Sequence, residues 1–227
     1  MSSIKSNLER VRNQISRTSK RFNRPADSVK LLAVSKTRPA ADILEALDAG
    51  QRLFGESYLQ EALDKIAKLT GSGAEWHFIG RIQSNKTRSI AENFDWVHSV
   101  VKLKHAKRLN DQRPGHLPPL NICLQIMIDN EATKAGMASG QAKELIEQID
   151  ELPHLKLRGL MSLPAATDNF EAQRIPFQKL RQLRDQLATT TTPLDILSMG
   201  MSSDLEAAIA EGASIVRVGT AIFGPRN

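Results

Sequence analysis

The chain has 227 residues, 41% apolar and 25% charged, a length and mix suited to one α/β barrel that buries a large core without staples. A single cysteine, Cys123, excludes an intrachain disulfide and points to a reducing cytoplasm; a charged N-terminus and the lack of a long apolar run argue against a signal peptide or a membrane span. The net charge of +6 is already carried by residues 1–24, where seven Lys and Arg face Glu9 alone, and aromatics make up only 4%, so the excess reads as one basic helix face and not as a nucleic-acid surface.

Ile4, Leu8, Val11 and Ile15 share one face and predict a helix over 4–22, broken by "NRPAD". An apolar run then predicts a strand over 30–35, ending at Ser35 and Lys36, followed by a helix over 40–49 that stops at Gly50. Strand 52–55 leads into helix 57–69, strand 75–80 into helix 84–93, and strand 95–100 into helix 102–110. After "RPGHLPP" come a long strand, 119–128, and a helix, 138–151. Strand 156–162 precedes a helical stretch, 168–188, interrupted or restarted at Pro176. Strand 194–199, helix 203–211 and a final strand, 214–218, complete the chain.

Eight strands, each but the last followed by a helix, imply a parallel sheet closed into a (β/α)8 TIM barrel. The extra N-terminal helix can fill the gap left by the missing eighth. No linker divides the chain, so residues 1–227 read as one domain. An open doubly wound sheet is the alternative, but no G-x-G-x-x-G follows the first strand.

Barrel active sites lie at the C-terminal ends of the strands. That rule gathers Lys36, Glu56, Gly80, Met161, Gly200 and Gly219 around one mouth. The loops after the seventh and eighth strands, "SMGMSSDLEAAI" and "RVGTAIFG", occupy the corner where barrels bind phosphate. There Ser202 or Ser203 can cap helix 203–211, Gly219 exposes its backbone and Thr220 offers a hydroxyl. A lysine and a phosphate corner on one mouth suggest pyridoxal 5'-phosphate (PLP), whose aldehyde forms a Schiff base with lysine. Arg217 shares a face with Gly219 by strand alternation. Beside a pyridine ring it would keep the ring nitrogen unprotonated; otherwise it is a strand-end arginine paired with a carboxylate.

With these residues in hand, the sequence resembles the pyridoxal phosphate homeostasis family, a relative of the alanine racemase N-terminal barrel. The segments that carry the resemblance run in order from residue 31 to 224: "LLAVSKTRP", "FGESYLQE", "EWHFIGRIQSNK", "TKAGM", "LRGLMSLP", "LSMGMSSDLEAAI" and "VRVGTAIFG". The resemblance implies that Lys36 carries PLP as a Schiff base, that Ser202, Gly219 and Thr220 hold its phosphate, and that Arg217 faces the ring nitrogen. It also implies that His77, Asn85 and Met161 line the site and that Lys134 lies near the mouth. Read alone, His77 is a core histidine, Met161 packing and Lys134 a loop lysine. Ser57 stands where the family usually has asparagine, which leaves any contact of that amide open.

The implied function is a PLP-binding protein that buffers the cofactor or supplies it to PLP-dependent apoenzymes, without substantial turnover of its own. The alternative is an amino-acid racemase. Related racemases use a second base, a tyrosine from an added β-domain and an adjoining subunit. Here the only tyrosine is Tyr58 and the chain ends at Asn227, so that base is expected to be missing. With no long apolar stripe left over, a monomer is expected.

Overall fold

Ser3 opens the first helix, α1 (Ile4–Arg21): its side chain accepts from Ser6 N. Leu8, Val11 and Ile15 are the buried stripe of that helix, each contributing about 1.5–3 kcal/mol relative to exposure. From there the structure, a computed structural model that describes residues 3–128 and 136–225, alternates strand and helix. The strands are β1 (Lys30–Val34), β2 (Leu53–Glu56), β3 (Glu75–Phe78), β4 (Trp96–Val100) and β5 (Leu120–Met127), then β7 (Leu155–Met161), β8 (Ile196–Ser198) and β9 (Ile215–Val218). A two-residue strand, β6 (Met137–Ala138), pairs among the described residues with the end of β5.

Neighbouring strands pair in parallel, and β4 pairs with β5 while β1 pairs with β9. The eight long strands therefore close into a ring, and the fold is a (β/α)8 barrel. Helices α2 (Ala40–Asp48), α3 (Leu59–Lys68), α4 (Thr87–Asn93), α5 (Leu103–Gln112), α6 (Ala142–Asp150), α7 (Phe170–Leu187) and α8 (Leu205–Ala210) lie between strands. Outward-facing strand residues and the inner helix faces build the main core, with Phe54, Phe78, Leu120, Ile122, Leu124 and Phe177 fully buried in it. A second, smaller cluster fills the barrel itself: Leu32, Trp96, Cys123, Met161, Ile196 and Ile215.

Four expectations need correction. The last strand is followed by a helix after all, the single turn α9 (Thr220–Phe223). Helix α1 packs on α2, α8 and α9, so it covers the seam beside that short turn, with Asn7 Nδ2 donating to Ile222 O at 2.8 Å. Helix α7 runs unbroken through Pro176: the proline lacks an N–H for Ala172 O, but Pro176, Phe177 and Leu180 are buried and keep the turns in line. Helices α3 and α8 start two residues later than expected, which frees Ser57 and Ser203 to lie in loops at the mouth.

Candidate ligand site

Alternate residues of each barrel strand point at the axis, so the last inward residues surround the mouth. A cavity of about 320 Å³ opens there, within the size range of small-molecule sites. Val34 and Lys36 enter it from the end of β1, Ser57 from the exit of β2, and Ile79 from the exit of β3. Met161 and Leu163 come from β7 and the loop beyond it. Arg217 and Gly219 come from β9, and the hydroxyls of Ser202, Ser203 and Thr220 form one corner. Arg38 adds a third cation beside Lys36 and Arg217, and no carboxylate is among the described lining residues. Such a lining attracts an anion.

Two glycines shape the mouth. Gly200 has φ +92°, a left-handed backbone, and a Cβ there would lie 2.4 Å from the Ala208 side chain. Gly80 lets the β2 exit rest on the β3 exit, since a Cβ would lie 2.2 Å from Ser57 O. The capping role expected of Ser202 or Ser203 is corrected: Asp204 occupies the N-cap of α8, and its Oδ1 accepts from Met201 N at 2.5 Å. Both serines are exposed toward the cavity instead.

Lys36 sits on a tight turn in which Arg38 N donates to Ser35 O at 3.1 Å and Thr37 takes φ +66°. That conformation is strained for a β-branched residue. It is held from α3: Thr37 N donates to Glu61 Oε1 at 2.6 Å, and Lys65 Nζ donates to Ser35 O at 2.8 Å. Lys65 also binds Glu56 Oε1 at 2.8 Å and Glu61, while Ser35 Oγ donates to the same Glu56 oxygen at 2.6 Å. Glu56, fully buried, is pushed above the usual carboxylate range by burial, against the pull of Lys65. From the other side Arg38 Nη2 donates to Gly224 O at 2.6 Å. Sequence reasoning placed Glu56 at the mouth but gave no role to Glu61, Lys65 or Arg38.

Of the nine expected site residues, Lys36, Ser57, Met161, Ser202, Arg217, Gly219 and Thr220 meet at the cavity. Asn85 and His77 do not line it. Asn85 lies exposed on the 84–86 3-10 turn. His77 is one inward layer below Ile79 and fully buried, its ring stacked on Trp96 at 5.3 Å. Its Nε2 is 2.9 Å from Glu75 Oε1 and its Nδ1 2.9 Å from His98 Nε2. Lys134 falls outside the described residues.

Burial lowers the pKa of both His77 and His98 from the ordinary value near 6.5, that of His98 well below it. The unfolded chain then binds more protons than the folded one once the pH drops below about 6.5, so stability falls with falling pH through that window. Urea unfolding between pH 7 and 5.5 is expected to lose stability with a slope that steepens below pH 6.5 toward a limit of about 1.4 kcal/mol per pH unit for His98, with a smaller share from His77. His98→Gln should have a flatter profile by one histidine's share; equal slopes would contradict a neutral buried His98.

The fold, with its lysine on the first strand's exit and its hydroxyl corner beside the last, defines a class: residues 6–227 match the family described as alanine racemase, N-terminal domain. An alanine racemase of Clostridium difficile 630 shares the fold, at TM-score 0.75 and 16% identity over 98% of this chain and 56% of that one. Much nearer is the pyridoxal phosphate homeostasis protein of Pseudomonas aeruginosa, 53% identical over all of this chain and 97% of that protein. PipY of Synechococcus elongatus PCC7942 superposes without PLP at TM-score 0.88 and 38% identity, over 98% of this chain and all of that one. Its structure with PLP bound superposes at 0.80 and 39% identity, over 92% of this chain and all of that one. The chain belongs to the pyridoxal phosphate homeostasis protein family.

Proposed function

We propose that this chain is a single-domain cytoplasmic PLP carrier: it holds PLP through Lys36, buffers it, and delivers it to PLP-dependent apoenzymes without turnover of its own. The observation that carries the reading is a cavity with a lysine amine and a hydroxyl corner on one mouth and no lining carboxylate among the described residues. The name of the Pseudomonas relative and the PLP-bound PipY structure support the ligand. The residues fit such a group. A phosphate suits Ser202, Ser203 and Thr220, with Gly219 so close to β1 that a Cβ would meet Val34 O at 3.2 Å. When bound, PLP supplies an aldehyde that condenses reversibly with amines. Lys36 would be its covalent anchor and Arg217 the neighbour of the ring nitrogen. Ser57 and Met161 would wall the ring.

The racemase alternative requires a second proton-transfer group on the opposite face of the ring. Tyr58, the single tyrosine, is 54% exposed and is not among the lining residues. A carrier acting as a monomer needs only an open mouth. The test is to load the protein with PLP, incubate it with L-alanine and follow D-alanine, and separately to mix it with a PLP-dependent apoenzyme. Apoenzyme activity is expected to return without racemisation; turnover of roughly 1–10³ per second would overturn the carrier reading.

The phosphate corner makes a separate expectation. Ser202→Ala or Thr220→Val deletes one hydrogen bond to a charged acceptor, about 1.5–3 kcal/mol. PLP should bind roughly 10- to 100-fold more weakly, while pyridoxal, which lacks the phosphate, should bind as before. Equal losses for both ligands would contradict the assignment.

A further inference from the structure

Below the cavity floor, four contacts join Arg217 to the opposite end of the barrel. Arg217 Nη1 is 2.8 Å from Ser198 Oγ, which is 2.8 Å from His98 Nδ1. His98 Nε2 is 2.9 Å from His77 Nδ1, and His77 Nε2 is 2.9 Å from Glu75 Oε1. Ser198, His98 and His77 are fully buried, whereas the Glu75 side chain is 42% exposed at the N-terminal end of β3.

The two ends dictate the direction of every bond. A guanidinium only donates, and an ionised carboxylate only accepts. His77 therefore carries its proton on Nε2 to donate to Glu75, and burial keeps its ring neutral, so its Nδ1 accepts from His98 Nε2–H. Neutral His98 then accepts at Nδ1, and Ser198 Oγ, which accepts from Arg217, gives its own hydrogen there. The reverse order would set a bare imidazole lone pair against the Glu75 carboxylate, which the hydrogen bond from His77 holds below its usual pKa. Every hydrogen bond therefore points from the cation to the anion, and the three intervening dipoles align with the field between them.

Arg217 needs such support. It is 4% exposed, and its Nη2 hydrogen bond runs to a neutral acceptor, Ser162 O, at 2.8 Å. Burial pulls its pKa down to about 10, with Asp204 the main charge opposing that. We propose that Glu75, His77, His98 and Ser198 form a one-way hydrogen-bond chain that positions Arg217 and balances its charge, coupling the ring end of bound PLP to a carboxylate on the far face of the barrel. The proposal rests on PLP as the ligand. The four residues act through Arg217 and are positioning residues.

Two measurements test it. Nitrogen-15 spectra of the ligand-free protein at pH 7.5 should show both His77 and His98 neutral with the proton on Nε2; Nδ1–H on either reverses the chain and overturns the proposal. Glu75→Gln keeps an acceptor oxygen but removes the charge, and its site is too exposed to threaten folding; Ser198→Ala cuts the chain beside Arg217. Both should shift the visible band of the PLP-loaded protein and weaken PLP by roughly 2- to 30-fold, with the affinity for inorganic phosphate unchanged. A Glu75→Gln variant with the wild-type band and PLP affinity overturns the coupling. If the wild-type protein gives the expected tautomers but no PLP band, the ligand assignment fails and the tautomers alone decide the chain.

Discussion

Lys36→Ala is expected to abolish covalent PLP retention while leaving the fold intact. In the wild-type protein, borohydride should fix PLP to a single peptide containing Lys36 and bleach the visible band. The expectation follows from position: Lys36 enters the cavity on a turn whose shape is set by its neighbours, through Ser35 O, Thr37 N and Arg38 N. A half-buried mouth residue contributes little to the main core, so the thermal midpoint should move by no more than a typical surface substitution. Residual binding through the phosphate corner is expected, seen as PLP that dialysis removes. Recovery of the label on Lys86, exposed on the 84–86 turn, would overturn the assignment.

Lys65→Met should be the most destabilising single change near the site. Lys65 is 4% exposed and neutralises Glu56, which has no exposed surface. Removing the cation leaves a buried carboxylate whose Oε2 already has no hydrogen-bond partner among the described residues. Breaking a buried pair on one side costs about 3–5 kcal/mol, readable by urea unfolding at pH 7. Because Glu56 is already displaced toward its neutral form by burial, the loss should shrink as the pH falls and the lone carboxyl takes up a proton. Glu56→Gln in the same chain should restore most of the stability, since no fully buried charge is then left unpaired. A double variant as unstable as Lys65→Met would show that the lysine acts through its bonds to Ser35 O and Glu61 and not by neutralising Glu56. In either case the Lys36 turn loses a clamp, and PLP affinity should drop with Lys65→Met.

The barrel could be read from local patterns. Apolar runs of four to eight residues punctuated by Gly and Pro alternate with helical stripes such as Leu8, Val11 and Ile15, and these signals are short-range. The barrel rule then carried Lys36, Met161, Ser202, Arg217, Gly219 and Thr220 to one mouth, because a strand's exit is a fixed place in that fold. Helix ends were less legible: α3 and α8 begin two residues late because the loops before them are drawn into the mouth, a tertiary demand stronger than local propensity.

What no local pattern contains is partnership across the sequence. Lys65 reaches Ser35 over 30 positions, His98 meets Ser198 over 100, and Arg38 holds Gly224 over 186. His77 alone looks the same whether it walls a ligand or lies one layer beneath it; only the closed ring, which sets Ile79 at the mouth and Glu75 at the base, decides. The physical reason is that secondary structure follows from neighbouring residues, whereas a buried polar group is stable only where packing happens to bring its donor and acceptor together.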